Sequence, residues 1–331
     1  MPDLPHELSH WHPILLSRDL GARPRAVMLH GRELVLFRTP SGVAALGNTC
    51  PHRRARLSDG RIDGDRIVCP YHGFRFGADG CGASAGTPEM NLSATRFEAR
   101  EAWDAVWVRA WDGREVALPF AGRPGFRHFG TLLHDIDCPL EPLVDNFCEV
   151  EHTPTTHALF GYREDALAEV TVSVETTADT VRVLNEGPQK PVPRLIERAF
   201  GVESGDTFVD DWTVRFSPVH IVYDQSWREP RTGAPRTDRL HLGVFFTPID
   251  RDETRLVTIV TTSRPDSLLD RLIRPLLRAL VDREVRLDQR RVERLASQSP
   301  DLRGTRLGRF DAALREHRRR IEAIYRGRST S

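Results

Sequence analysis

With 331 residues, the chain is too long for one small domain and suits two domains that each bury a core. Its 47 basic and 47 acidic residues cancel, which excludes a global field that would attract nucleic acid or an anionic membrane. The five cysteines lack the pattern of a disulfide framework, and no apolar run approaches a bilayer span, so we expect a soluble protein in the reducing cytoplasm.

Residues 25–118 are predicted to form short strands joined by tight turns. Glu33–Arg38 and Val43–Leu46 flank a turn at residues 39–42. Asp-Gly turns recur at 63–64, 79–80 and 112–113. This spacing is typical of a small all-β domain, and the proline- and glycine-bearing stretch from Leu118 to Gly130 predicts a linker after it.

Two cysteine–histidine pairs fall in loops of this region. Cys50 and His52 have the spacing C-x-H, and Cys69 and His72, after sixteen intervening residues, have the spacing C-x-x-H. Each loop offers one thiolate and one imidazole, which is the mixed ligand set of a [2Fe–2S] cluster gripped from both ends. A structural zinc site is the competing interpretation, but zinc fingers usually carry like ligands together, as C-x-x-C followed by H-x3-5-H.

The second half of the chain is predicted to combine a sheet with helices. Leu140 to about His152 has the pattern of a helix, and β-branched, alternating residues after it predict an antiparallel sheet. A longer helix is expected from Ser267 to about Gln298, and a final amphipathic helix at Phe310–Tyr325. The predicted strands are Val170–Val174, Thr180–Leu184, Asp211–Phe216, Val219–Tyr223, Leu240–Phe246 and Arg255–Thr262.

A second pair of histidines follows the first predicted helix. His152 and His157 have the spacing H-x4-H, and on an unbroken helix their imidazoles would diverge by about 140°. Pro154 disfavours helix for the residue before it, so we expect the chain to bend there and both imidazoles to reach one ion.

The cluster motif resembles the Rieske family, including Pro51, Pro70, Tyr71 and Gly73 beside the ligands, and the H-x4-H segment resembles the iron motif of Rieske non-haem iron oxygenases. The resemblance implies an α+β chain with an N-terminal all-β Rieske domain at 1–120. It implies a catalytic domain at 131–331, with an antiparallel sheet flanked by helices in a helix-grip, Bet v 1-like arrangement. A [2Fe–2S] cluster is implied at Cys50, His52, Cys69 and His72, and a mononuclear Fe(II) at His152 and His157.

The third iron ligand implied by the resemblance is an aspartate on a C-terminal helix, with a glutamine seven residues later. Asp282 and Gln289 match this pattern, although Glu284 and Asp288 on the same helix are alternatives. A solvated surface charge is the competing interpretation of Asp282.

The residue three positions before the first iron histidine also has an implied role. Glu149 stands where the family commonly has an aspartate, which joins a cluster histidine of one subunit to an iron histidine of the next. Glu149 is therefore expected to take part in catalysis by connecting His72 to His152 between subunits. A simple helix-face carboxylate is the alternative. Asn146 also matches the motif, as a residue supporting the ligands.

The implied function is that of a terminal oxygenase component. Electrons from a reductase or ferredoxin would pass through the cluster to Fe(II), and O2 would oxidise a small organic, aromatic substrate by hydroxylation, O- or N-demethylation, or desaturation. No G-x-G-x-x-G motif for a flavin or nicotinamide follows a strand, so the donor is a partner protein. The resemblance also implies a homotrimer. The alternative to the oxygenase function is a Rieske-type electron-transfer protein without oxygenase activity. Aromatic candidates for the substrate pocket are Phe216, Trp227, Phe245 and Phe246, but most aromatic residues of strands belong to the core, so none of them is assigned to the site.

Overall fold

The structure is a computed structural model that describes residues 4–157, 159, 161–194, 197, 201–236, 240–263 and 268–329, without the side chains of 268–270 and 273. Its strands form three antiparallel sheets, and the described α-helices all lie after residue 139. The predicted α+β class, with an all-β N-terminal half, is confirmed.

The N-terminal half contains eleven described strands. They are β1 (His12–Leu16), β2 (Arg25–Leu29), β3 (Arg32–Thr39), β4 (Gly42–Gly47), β5 (Arg61–Asp63), β6 (Arg66–Val68), β7 (Arg75–Phe76), β8 (Cys81–Ser84), β9 (Thr87–Ser93), β10 (Arg96–Ala102) and β11 (Ala105–Ala110). One sheet has the order β1-β11-β10-β4-β3-β2, and a smaller sheet has the order β5-β6-β7-β8-β9. Strand β1 was not predicted.

The two N-terminal sheets share a hydrophobic core. Val35 and Phe37 of β3 pack with Ile67 of β6 and Phe76 of β7, which are all fully buried. Cys50 and Cys69 belong to the same buried cluster. The loops that carry the predicted cluster ligands are therefore anchored to this core rather than suspended in solvent.

The C-terminal half is built on one large sheet. Its strands are β12 (Arg127–Ile136), β13 (Thr171–Thr176), β14 (Thr180–Pro188), β15 (Thr207–Phe216), β16 (Val219–Arg228), β17 (Leu240–Pro248) and β18 (Thr254–Thr262), in the order β12-β18-β17-β16-β15-β14-β13. The six strands predicted for this half are confirmed, and most are longer than expected. Strand β12 begins inside the predicted linker and forms one edge of the sheet.

The described helices of the second half are α1 (Leu140–Phe147), α2 (Thr153–Thr156), α3 (Leu268–Val292) and α4 (Leu314–Arg320). The first residue of the predicted long helix, Ser267, lies outside the described residues. The final predicted helix is broken, because a short 3-10 turn at Arg309–Asp311 precedes α4 and a π-helical turn at Ile321–Tyr325 follows it. None of the described helices is long and apolar enough to span a bilayer.

Helix α3 turns one stripe of residues towards the large sheet. Leu277, Val285 and Val292 are buried in the main core, and Val281 packs against it. These residues recur at intervals of three or four positions when Asp288 is counted with them, which is the repeat of one helix face. Asp288 therefore lies on the buried side of the helix, whereas Asp282 is offset from this side.

The two halves of the chain are joined through the opposite face of the large sheet. Trp11 and Trp107 of the N-terminal half form a buried cluster with Phe120, Phe245 and Ile259. The Trp107 and Phe245 ring centroids lie 4.9 Å apart in an edge-on arrangement. This cluster covers one face of the large sheet. The other face, called the inner face below, packs against helices α1 and α3.

Candidate functional site

The two cysteine–histidine loops have the same backbone conformation. In each, the cysteine N–H donates to the carbonyl five residues later, and the N–H of the fourth residue after the cysteine donates back to the cysteine carbonyl. These hydrogen bonds are Cys50 to Ala55 at 2.9 Å, Arg54 to Cys50 at 2.9 Å, Cys69 to Phe74 at 2.8 Å and Gly73 to Cys69 at 3.1 Å. Arg54 and Gly73, the equivalent positions, both have a left-handed φ, of 59° and 71°. The loops thus share one hydrogen-bond pattern around their cysteines, whereas the histidine stands two residues after the cysteine in the first loop and three residues after it in the second.

The four predicted cluster ligands converge between these loops. Cys50 and Cys69 are both buried in the same hydrophobic cluster. The His52 and His72 ring centroids lie 4.6 Å apart. His52 Nδ1 is buried without a hydrogen-bond partner among the described residues, which suits a nitrogen that ligates a metal. Two sulfurs towards the core and two imidazoles outside them fit a mixed-ligand [2Fe–2S] cluster.

The second histidine pair converges as predicted, but the chain bends at a different place. Helix α1 ends at Phe147, and His152 directly precedes α2. Pro154 lies in the first turn of α2, where its missing N–H has no helical partner to lose, so Thr153 is helical after all. His157 follows with extended backbone, and its Nε2 lies 3.1 Å from His152 Nε2. The bend therefore falls between the two helices rather than at Pro154.

Asp288 is the carboxylate that meets the two imidazoles. Its Oδ1 lies 3.3 Å from Nε2 of His152 and 3.3 Å from Nε2 of His157, and the residue is 4% exposed. One ligand atom from each of the three residues lies within 4.8 Å of the others. Two imidazoles and one carboxylate form the arrangement that non-haem Fe(II) oxygenases use.

The prediction of Asp282 as the third ligand is corrected by this geometry. Asp282 Oδ1 accepts a hydrogen bond from His134 Nε2 at 2.8 Å, and its Oδ2 accepts one from Arg286 Nε at 2.8 Å. Gln289 donates to Asp135 O at 3.2 Å and to Glu293 Oε1 at 2.8 Å. The physical reason is helical phase, because Asp282 is offset from the stripe of α3 that faces the sheet.

A carboxylate also lies next to the Nδ1 atom of each imidazole of the pair. His152 Nδ1 donates to Glu149 Oε1, and His157 Nδ1 lies 3.3 Å from Glu284 Oε2. Burial opposes a charge on His152, but Asp288 and Glu149 outweigh it and raise its pKa to about 9. The site is therefore strongly attractive to a cation. The within-chain half of the predicted Glu149 role is present, and its contact with another subunit stays a prediction.

Lys190, the one lysine of the sequence, binds the backbone at the two ends of helix α2, next to the histidine pair. Its Nζ is buried and donates to the carbonyls of Thr153, at 3.2 Å, and His157. Burial lowers the pKa of Lys190, and Glu284 acts in the opposite direction. The sequence shows only that Lys190 is the one lysine among 47 basic residues, and this count by itself indicates no role.

An apolar cavity opens beside the three ligands. It encloses about 830 Å³ of empty space, including its mouth. The predicted pocket aromatics do not line it, since Phe245 lies on the opposite face of the sheet and Phe216, Trp227 and Phe246 pack within the core. The residues around the cavity include Phe147, Phe208, Trp212, Tyr223, Leu242 and Val244, together with His152, His157 and Asp288.

Comparison with known proteins gives matches over both halves. The family described as Rieske [2Fe-2S] domain matches residues 10–96, and the vanillate O-demethylase oxygenase C-terminal domain matches residues 136–326. The vanillate O-demethylase oxygenase subunit of Pseudomonas sp. (strain HR199 / DSM 7063) is 30% identical over 231 residues, which are 65% of this chain and 64% of that protein. The dicamba O-demethylase oxygenase component of Stenotrophomonas maltophilia is 29% identical over 247 residues, 70% of each chain.

The fold has solved counterparts. The crystal structure of dicamba monooxygenase bound to dicamba superposes with a TM-score of 0.78, at 20% identity, over 97% of this chain and 98% of that one. A Rieske cluster domain joined to a sheet domain with two histidines and a carboxylate defines the class of two-domain Rieske oxygenase components. The chain belongs to the Rieske non-haem iron oxygenase family, with a catalytic domain of the vanillate O-demethylase oxygenase type. Oxygenase components of this family receive electrons from a reductase or ferredoxin.

Proposed function

We propose that this chain is a terminal oxygenase component. It takes electrons from a reductase or ferredoxin through a Rieske [2Fe–2S] cluster to a mononuclear Fe(II), and it oxidises a small, aromatic substrate with O2 by hydroxylation or by O- or N-demethylation. The observation that carries the proposal is the meeting of His152, His157 and Asp288 at the wall of an apolar cavity. The O-demethylation of vanillate and of dicamba for which the relatives are named supports the reaction class.

The proposed ligand sets follow from the two sites. Cys50, Cys69, His52 and His72 hold the cluster, and His152, His157 and Asp288 hold Fe(II). When bound, the cluster would supply single electrons and the Fe(II) would activate dioxygen. Glu149 accepts the Nδ1 proton of His152, which fixes the tautomer and turns Nε2 towards the metal position. Glu284 lies in the equivalent place behind His157.

The domain boundaries and the assembly are part of the same proposal. Residues 1–120 form the cluster domain and residues 131–331 the catalytic domain, within a homotrimer in which His72 of one subunit approaches Glu149 of the next. Tyr71 and His72 are exposed at the tip of their loop, which supports a contact there. The reducing cytoplasm is the proposed compartment, because none of the five cysteines forms a disulfide.

The paired variants Asp288→Ala and Asp282→Ala test the proposal. We expect anaerobically loaded wild-type protein to hold three irons per chain, and Asp288→Ala to hold two and to lose substrate oxidation with a surrogate reductase. Asp282 lies on the same helix but is bonded to His134 and Arg286 instead of the histidine pair, so Asp282→Ala should keep three irons.

Two results would contradict the assignment. Two irons in the wild-type protein would indicate a Rieske electron carrier without oxygenase activity. Loss of the third iron in Asp282→Ala, with retention in Asp288→Ala, would restore the ligand set expected from the sequence.

A further inference from the structure

A row of polar side chains crosses the inner face of the large sheet. Asn185 of β14, Asp210 of β15 and Gln225 of β16 are register partners on three adjacent strands. Asp210 and Gln225 line the cavity, and Gln225 Nε2 donates to Asp210 Oδ1 at 3.1 Å. Asn185 is 1% exposed, and its Nδ2 has no hydrogen-bond partner within the described part of the chain. Such groups are costly to bury, and of the three only Asp210 and Gln225 are reachable from the cavity.

Aromatic side chains flank this polar row on both sides. Two residues along the strands in one direction, Trp212 faces Tyr223, with ring centroids 5.8 Å apart. Two residues in the other direction, Phe208 stacks on Trp227 at 5.3 Å. Successive residues on one face of a strand lie about 7 Å apart, so Asp210 and Gln225 form the floor of a slot in the cavity, between Phe208 on one side and Trp212 and Tyr223 on the other. A flat ring with one polar substituent fits this shape.

The charge of the cavity wall is negative. Glu149, Glu284 and Asp288 line the cavity with Asp210, and no lysine or arginine does so among the described residues. Asp210 is 7% exposed, and burial raises its pKa to about 7, so its full negative charge develops only above neutral pH or when a donor or cation binds it. A substrate carboxylate placed beside Asp210 would lose its hydration next to a group of like charge, which is strongly unfavourable.

The cavity also offers neutral hydrogen-bond donors. Trp212 Nε1 and Asn146 Nδ2 are buried and lack partners among the described residues. They can donate to an ether or carbonyl oxygen of a bound ring. The slot therefore combines an acceptor, at Asp210, with donors elsewhere on its wall.

We propose that Asp210, held by Gln225, is the specificity-determining residue of this cavity, and that the substrate is a neutral or cationic aromatic compound with an N–H or O–H donor. This inference rests on the proposed function, since it takes the cavity as the oxygenase's substrate site. It separates this chain from relatives named for an anionic substrate such as vanillate.

Anaerobic calorimetric titration of the holoenzyme with four matched ethers tests the inference. The probes are 4-methoxybenzylamine, 4-methoxybenzamide, 4-methylanisole and 4-methoxybenzoate, which differ only in the group opposite the methoxy substituent. We expect the amine and the amide to bind about tenfold or more tightly than the benzoate, because a single charge-assisted hydrogen bond has this magnitude. The methyl compound, which has no donor, should bind more weakly than the amine and amide.

The variant Asp210→Asn assigns the preference to one side chain. It keeps the shape but removes the charge, so the preference for the amine over the benzoate should fall about tenfold. Asp211→Asn is the matched control, because Asp211 faces outward on the same strand and pairs with Arg182. It should keep the wild-type ranking.

Several outcomes would overturn the inference. They are tightest binding of the benzoate by the wild-type protein, equal binding or no binding of all four probes, and an unchanged ranking in a folded Asp210→Asn variant. If this variant does not fold, the order in which the wild-type protein binds the four probes still tests the inference. Failure of the proposed function has a different signature, since two irons per chain with the expected ranking would refute oxygenase activity and leave the cavity preference intact.

Discussion

The two metal-ligand sites differ in how their residues are brought together. The cluster ligands come from two neighbouring loops that share one backbone conformation, and the same hydrogen-bond pattern closes each loop. The three-residue site instead combines a short segment after α1 with a residue of α3, far along the chain. The first site is determined locally, and the second depends on how a helix packs against a sheet. Changes near each site should therefore have different consequences.

The largest effect is expected at the cluster loops. Cys69→Ser removes a buried thiolate, which a hydroxyl cannot replace as a ligand of this kind, so the cluster should be lost. Iron content should fall from three per chain to one, and the visible absorption of the iron–sulfur bonds should disappear. Cys81→Ser is the control, because Cys81 is exposed and outside the loops. Loss of the remaining iron as well would show that the two sites are not independent.

A smaller effect is expected at the carboxylate behind His152. Glu149→Gln weakens the acceptor for His152 Nδ1, and such changes typically reduce metal affinity by about 10- to 100-fold. Competition with a chelator measures this affinity, and the cluster spectrum should not change. Glu151→Gln, two residues on and exposed, should bind metal like the wild-type protein. Equal metal affinity in both variants would show that Glu149 is only a carboxylate at a helix end and does not support the metal site.

Lys190 should affect the same site through the backbone. Lys190→Met removes the donors to the Thr153 and His157 carbonyls, so we expect about tenfold weaker metal binding and a less stable α2. Lys190→Arg keeps the positive charge and tests whether the compact ammonium is required. Chelator competition and hydrogen exchange of the α2 amides measure the two effects. Unchanged metal affinity in Lys190→Met would show that α2 holds its position without it.

The smallest effect concerns the junction of the chain termini and acts on both sites through global stability. His10 packs on Tyr325, and burial lowers its pKa to about 4. The folded state therefore favours neutral His10, and its contribution is complete above the unfolded pKa of 6.5 and is lost as the pH falls towards 4. Between pH 7 and pH 5 we expect a loss of about 2 kcal/mol from this group.

Denaturant unfolding at the two pH values measures this loss. His10→Gln should reduce the loss of stability between pH 7 and pH 5 by about 2 kcal/mol, because glutamine does not titrate, and should leave the contributions of His30 and His220, whose pKa values burial also lowers to about 4. A pH dependence as steep as that of the wild-type protein would place the titrating group elsewhere.

How much the sequence could predict follows the same division between local and distant structure. The cluster ligands and the histidine pair are local motifs, and the alternation of apolar residues located the strands of the large sheet. The choice between Asp282 and Asp288 depends on the rotation of α3, which tertiary packing sets. The stripe of Leu277, Val285 and Val292 contained that signal, but a spacing taken from relatives outweighed it.

The cavity wall was beyond sequence reasoning for a related reason. Phe245 and Val244 are neighbours on β17, yet one packs against the N-terminal half and the other lines the cavity. Both faces of this strand are buried, so hydrophobicity cannot tell which side chain points where. Only the three-dimensional arrangement of the two cores assigns each face.

The most direct test of the central claim is a crystal structure of anaerobically iron-loaded protein, with anomalous scattering measured on both sides of the iron absorption edge. The account predicts an isolated iron peak bounded by Nε2 of His152, Nε2 of His157 and a carboxylate oxygen of Asp288, in addition to the paired irons between the cysteine–histidine loops. A peak beside His134 and Asp282 instead, or no iron at the histidine pair, would contradict it.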